Sequence, residues 1–328
     1  MKNFYANRIW IYLLTLSCVY ASCSQQNNKN ANDANDPNKL CGTIAISGAF
    51  ALYPLAVEWS EDFKKLHPDV RFDIQGGGAG KGMADALSGA VDIGMVSRGI
   101  NEEEVKKGVF SIAVAKDAVV PTINANNPQL NSLLKKGLSQ AQFKSLYMDG
   151  KPCTWNEFTG LAGSDKVLLF TRSDAAGAPE TWANYLGGKQ EDLKGTGVFG
   201  DPGLSEAIMK NPLGLGFNNI NYVYDIKTRK PLPGILPLPI DVNGNGKIDP
   251  EEDFYETIDS LNLAVEQNRF PSPPARELYF VTKGKTSNPI VKAFLNWILS
   301  NGQEQVEKAG YVKLDAEIVR TESAKLNQ

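Results

Sequence analysis

Two hydrophobic periods alternate along this chain. Residues 42–46, Gly42-Thr43-Ile44-Ala45-Ile46, form a short apolar run that predicts a strand. Over 52–65, Leu55, Trp59, Phe63 and then Leu66 recur at helical spacing. Residues 70–74 alternate as a strand, 81–87 read as a helix, and 91–96 as a further strand. This β-α-β-α-β order predicts a parallel sheet with ligand loops at the C-terminal ends of its strands. Ser97 and Arg98 directly follow the third strand, where such a ligand would lie. Two more strands are predicted at 112–115 and 118–124, the second crossing into another lobe. Helices follow at 139–146 and 155–161, and the strand 167–171 delivers Arg172. A helix over 257–266, the rigid segment 270–274, a strand over 278–281 and helices over 291–299 and 304–309 complete the alternation.

Three loops stand just before helices. They are Ser47-Gly48-Ala49-Phe50, the glycine-rich segment 75–82, and the segment 172–178 that opens on Arg172-Ser173-Asp174. Small residues let backbone approach a ligand, and helix N-termini aim unpaired N–H groups at it. Three such ends converging on one point would make a desolvated anion site without a metal.

Composition narrows the field. The chain has 328 residues, 42% of them hydrophobic and 22% charged, which is enough for two cores. A net charge of −3 gives no long-range attraction for nucleic acid. The single histidine, His67, is expected to cap a helix end before Pro68. A Ser-His-Asp triad or a His-rich zinc site would have to use it, so neither is expected. No nucleophile with a positioned base stands out, which argues against an enzyme. No organic cofactor is expected.

The N-terminus carries an address. Lys2 and Arg8 precede an apolar stretch over 9–20 that is too short to span a bilayer. Tyr20-Ala21-Ser22-Cys23 resembles a bacterial lipoprotein signal, which makes Cys23 the lipidation site and 1–22 the signal peptide. Tyr20 replaces the usual Leu, and a plain cleavable signal is the alternative. Residues 23–39, rich in Asn, Asp and Gln, read as a flexible tether. Cys41 and Cys153 are expected to be buried free thiols.

The ordered motifs resemble the phosphate-binding lipoproteins of ABC importers (PstS-like). The matching segments are Pro54-Leu55 with Trp59, Gln75-Gly76-Gly77-Gly78 with Gly80, and Val91-Asp92-Ile93-Gly94 with Ser97-Arg98. Ala118-Val119-Val120, Trp155-Asn156-Glu157-Phe158 and Arg172-Ser173-Asp174 with Gly177 follow, then 212–217 and 310–314. The resemblance implies two Rossmann-like α/β lobes joined by a two-strand hinge, the type II periplasmic-binding fold. Lobe 1 would take 40–120 and 268–328, and lobe 2 would take 121–267. It also implies a monomeric, extracytoplasmic, lipid-anchored receptor that closes on phosphate and docks on ABC permease subunits. The ligand shell would comprise Ser47, Gly48, Ala49, Phe50, Gly78, Ala79, Gly80, Ser97, Arg98, Arg172, Asp174, Ala176, Gly177 and Ala178. Arg172 would be the charged ligand, held by Asp174.

The departures are concerted. Where the family's loops offer Ser and Thr hydroxyls, this chain has Ala49, Phe50, Ala79, Ala176 and Ala178. Each lost charge-assisted hydrogen bond costs roughly 1.5–3 kcal/mol unless replaced. Ser47, Ser97 and Ser173 are candidate replacements, with Arg98 as a second cation. Some family members have a proton-accepting acid at the Arg98 position, and an Arg cannot accept. Two ligand readings follow: phosphate, or a different anion with an apolar part near Phe50. Plain interlobe or core packing is the alternative role for Phe50. Receptor and sensor roles both remain open.

A second motif is independent of the first. Residues 241–252 fit the EF-hand-like calcium loop, with Asp241, Asn243 and Asn245 at positions one, three and five. Gly246 makes the turn, Lys247 offers its carbonyl, Asp249 acts through water and Glu252 is bidentate. Prolines over 231–239 exclude the usual entering helix, so a structural calcium is expected, pinning a lobe 2 loop. A metal-free turn is the alternative.

Overall fold

A computed structural model describes residues 39–151 and 153–328. The signal peptide, Cys23 and almost all of the proposed tether lie outside the described residues. Within Leu40–Gln328, which forms one compact unit, the chain opens as the periodicity predicts. β1 (Gly42–Gly48), α1 (Tyr53–Leu66), β2 (Val70–Gly76), α2 (Ala79–Ser88) and β3 (Ile93–Val96) follow in order. α1 buries Leu55, Ala56, Trp59 and Phe63, places Pro54 in its first turn, and ends on Lys64 and Lys65. His67 caps it and its ring lies 4.5 Å from that of Phe63. α2 follows the N-cap Gly78, which holds φ +88°, and stops at left-handed Gly89.

α3 (Glu102–Lys106) begins in a capping box between Asn101 and Glu104. β4 (Val109–Asn124) is one strand of 16 residues, where the sequence pattern suggests two. The polar pair Lys116-Asp117 looks like a break, but Asp117 is buried against Arg276 at 2.8 Å. Next come α4 (Leu130–Lys136), β5 (Leu138–Ser139), α5 (Gln140–Tyr147), α6 (Trp155–Thr159), β6 (Leu168–Arg172) and α7 (Gly177–Tyr185). α6 stops two residues before the predicted end because Gly160 takes a left-handed C-cap. β7 (Thr196–Val198), α8 (Gly200–Lys210), β8 (Gly214–Asn219), β9 (Ile235–Pro237), β10 (Ile240–Asp241) and α9 (Ile258–Glu266) continue the chain. It closes with β11 (Ala275–Lys283), α10 (Pro289–Ile298), α11 (Gln303–Val306) and α12 (Ala316–Asn327).

The main sheet runs β2-β1-β3-β11-β4-β8-β6-β7, with β9 also on β4. β1 pairs in parallel with β2 and β3, as expected, while β11 is antiparallel to both β3 and β4. Two hydrophobic clusters sit along it. The first gathers Ile44, Trp59, Met95, Phe280 and Phe294; the second gathers Phe143, Trp155, Trp182, Phe217 and Tyr224. Side-chain packing changes cluster between Ala115 and Ala118 on β4, and between Ala275 and Leu278 on β11. Ala118, Val119 and Val120 therefore pack in the second core, a few residues earlier than the sequence reading places the change.

Cys41 and Cys153 are both free, but they are not buried: Cys41 is exposed and Cys153 half-buried. Burial, with Glu157 nearby, pushes the Cys153 thiol up to about 11. Among the described residues no helix is long and apolar enough to cross a membrane.

Candidate functional site

Arg172 ends β6 with its side chain almost fully enclosed, at 1% exposure. Its Nε donates to Asp174 Oδ1 at 2.7 Å and its Nη2 to Asp174 Oδ2 at 2.5 Å. Its Nη1 donates to Asp201 Oδ2 at 2.5 Å. Asp201 sits in the first turn of α8, where a carboxylate suits the helix dipole, and also accepts from the Asn219 N–H. Asp174 accepts from the Gly200 N–H at 3.1 Å. Burial alone would lower the Arg172 guanidinium, but Asp201 and Asp174 outweigh it and the net shift is upward. Burial would raise the Asp174 carboxyl, and the bonds from Arg172 outweigh it in turn, holding it below the ordinary carboxylate range. A guanidinium has five N–H donors, so these three bonds leave one on each terminal nitrogen outside the carboxylate grip.

The loop after β1 meets this group. The Phe50 ring lies 5.7 Å from Arg172 Cζ, and the Phe50 carbonyl accepts from Tyr222 Oη at 3.0 Å. Ala49 is buried, and its N–H donates to the Met95 carbonyl at 2.9 Å. Ser47 is turned away, donating to Asp85 Oδ2 at 2.6 Å, where Lys81 also pairs. The Gly48 carbonyl accepts from the N–H groups of Gly77 and Gly78. Gly48, Gly82 and Gly94 bring the backbones of β1, α2 and β3 into direct contact, leaving no room for a Cβ. Part of the glycine run thus serves packing rather than ligand approach.

The second and third loops touch each other. The Gly80 N–H, at the start of α2, donates to the Ala175 carbonyl at 3.1 Å. Gly177 packs against Ser97 so tightly that a Cβ would collide with it. The Ala176 N–H donates to Gln190 Oε1 at 3.3 Å, and Gln190 Nε2 donates to the Asp174 carbonyl at 2.7 Å. Ala79, Ala176 and Ala178 are buried, while Ser173 is exposed. Arg98 is engaged elsewhere: it grips Glu104 through both terminal nitrogens and meets Glu180 of α7 at 3.0 Å. Glu104 is pulled up by burial, but the hydrogen bond from Arg98 prevails and the net shift is down. A cleft of about 360 Å³ opens beside the loops, lined by Gly80, Arg98, Ala176, Glu180, Lys189 and Gln190.

The structure therefore gathers Phe50, Arg172, Asp174 and the glycine and alanine loops at one place. It pairs Ser47 with Asp85 and Arg98 with two glutamates, contacts that the sequence reading does not foresee. The sequence reading misses Asp201, Glu104, Glu180, Gln190 and Tyr222. Gly200-Asp201-Pro202 is a helix-start signal that could have flagged Asp201, though its partner is set by the fold.

The loop 241–252 is folded on itself. Asp241 accepts from the N–H groups of Gly244, Asn245 and Gly246. Glu252 accepts from those of Val242, Asn243 and Asp249. The amides of Asn243 and Asn245 donate to Asp249, which also pairs with Lys247 at 2.5 Å. The Ile248 N–H donates to the Lys135 carbonyl, and β10 pairs in parallel with β5. Among the described residues no group of three or more His, Cys, Asp or Glu is gathered to hold a metal ion.

Known proteins resemble this chain along most of its length. The phosphate-binding protein PstS of Bacillus subtilis is 28% identical over 228 residues, covering 68% of this chain and 73% of that protein. The PstS of Methanocaldococcus jannaschii is 25% identical, covering 98% and 94%. A phosphate-bound ABC transporter substrate-binding protein of Clostridium perfringens superposes with TM-score 0.68 at 23% identity, covering 84% of this chain and all of that one. An ABC-type phosphate transport receptor of Vibrio cholerae gives 0.59 at 19%, covering 83% and 100%. These likenesses establish the α/β periplasmic-binding fold. The PBP superfamily domain matches residues 31–302, and the chain belongs to that family.

Proposed function

We propose that this chain is an extracytoplasmic solute receptor. It captures inorganic phosphate, or an oxyanion of like shape, between its two cores and delivers it to an ABC importer. The observation that carries this reading is Arg172, an enclosed guanidinium fixed by Asp174 at the end of β6 and facing the loops of the first core. An immobilised planar fork suits an oxyanion, and no catalytic step is assigned. The relatives named phosphate-binding proteins support the same reading. Cys23 as a lipid anchor, a monomeric state and a structural calcium in 241–252 belong to it as further proposals.

A second reading, a receptor for a different anion, is favoured by the apolar positions Ala49, Phe50, Ala79, Ala176 and Ala178. Calorimetric titration of ligand-stripped protein with phosphate, sulfate and molybdate separates the two. The first reading expects phosphate binding that weakens about tenfold to a hundredfold in Arg172→Ala, as the loss of charge-assisted hydrogen bonds requires. Folded protein that ignores phosphate but takes another anion establishes the second.

A further inference from the structure

The Phe50 ring is seated in a slot built from both cores. On one side is Gly76 at the end of β2, where a Cβ would lie 2.6 Å from ring Cε1. On the other is Gly200 at the start of α8, held at φ +72°, where a Cβ would lie 3.2 Å from Cε2. Phe199 meets the ring edge-on at 6.1 Å, and the Arg172 guanidinium stands at 5.7 Å. Phe50 begins in the loop after β1, in the first core, while Arg172, Phe199 and Gly200 belong to elements of the second. Tyr222 fastens the Phe50 carbonyl from that same side at 3.0 Å. Nothing about a solvent-facing aromatic would demand two facing glycines and a buried cation.

We infer that Phe50 is the resident occupant of the anion seat: its ring covers Arg172, latches the two cores together without ligand, and must be displaced by any oxyanion that reaches the guanidinium. The inference rests on Arg172 being the anion-binding cation of the proposed function. The ring contacts the guanidinium through a cation–π interaction, while the carboxylates of Asp174 and Asp201 hold three of its five N–H groups, so the ring shields the two that an anion would use. An incoming anion therefore competes with the protein's own side chain. Phe50 becomes the residue that sets how tightly, and which, oxyanions are held.

The test uses the intact protein and inorganic phosphate. Phe50→Ala removes the ring, and Gly76→Ala expels it by filling the slot. Both are expected to bind phosphate about tenfold tighter than the unsubstituted protein, the size of one desolvated cation–π contact. The gain should vanish in Phe50→Ala combined with Arg172→Ala, because it runs through the guanidinium. In solution X-ray scattering without phosphate, Phe50→Ala is expected to show a larger radius of gyration. Phosphate affinity that is unchanged or weaker in both folded variants overturns the inference, as does an unchanged radius. If no variant binds phosphate, the proposed function falls instead, and the scattering result alone decides the latch.

Discussion

Arg172 is shared between two buried carboxylates, and this sets the charge an anion meets. Asp174 and Asp201 together exceed the single positive charge, leaving the buried trio at net negative. Asp201→Asn keeps an acceptor oxygen for Nη1 but removes that surplus. Phosphate affinity is expected to rise at least about tenfold, because a unit charge about 4 Å away is worth about 4 kcal/mol at an effective dielectric near 20 and tenfold takes only about 1.4 kcal/mol. Stability is expected to fall by about 1–3 kcal/mol as a charge-assisted bond becomes a neutral one. Titration calorimetry and a denaturant melt measure the two effects. Unaltered phosphate binding in folded Asp201→Asn would show that this charge is not felt at the ligand. Arg172 and Asp174 are legible in the sequence because they are near neighbours behind a predicted strand. Asp201 is not, since only the β6–β7–α8 crossover brings it to Nη1. The same limit hides the true partners of Arg98 and Ser47, whose roles are decided by Glu104, Glu180 and Asp85.

At the scale of elements, hydrophobic period reads well wherever one face is buried, as in α1, β2 and α2. It fails where a buried ion pair imitates a turn. Asp117 and Arg276 cross between β4 and β11, and Arg276 also reaches Thr181 Oγ1 at 2.9 Å. That network keeps β4 continuous through its polar middle. Loop 241–252 is the reverse case, because its ligand pattern is legible and its docking is not. Ile248 anchors on the Lys135 carbonyl beside the β5–β10 pair, so ordering this loop steadies a segment far from it in sequence. Calcium would have to draw Asp249 away from Lys247, to which it is held by hydrogen bonding and charge. The melting midpoint is therefore expected to rise in about 1 mM calcium relative to chelator, the range of extracellular sites. Glu252→Gln should abolish the difference. Equal midpoints in calcium and chelator would make this a metal-free turn.

Among the described residues two hydrophobic clusters share one sheet, and β4 and β11 pass through both. The pairing of Ala275 with Ala118 and of Lys283 with Val109 marks the two ends of that shared ladder. Neither core can lose its strands without stripping the other of backbone partners, so the described unit is expected to unfold in one cooperative transition. Two independent lobes on a loose tether would instead melt separately. Phosphate, held between the cores as proposed, would stabilise the folded state by mass action, by about 2.7 kcal/mol at roughly a hundred times its dissociation constant. For a unit of this size that moves the midpoint up by about 5 °C. Differential scanning calorimetry should show a single peak that shifts upward with phosphate, and by about half as much or less in Arg172→Ala. Two resolved peaks, of which phosphate moves only one, would mean that the shared strands do not couple the cores and that the ligand belongs to one of them alone.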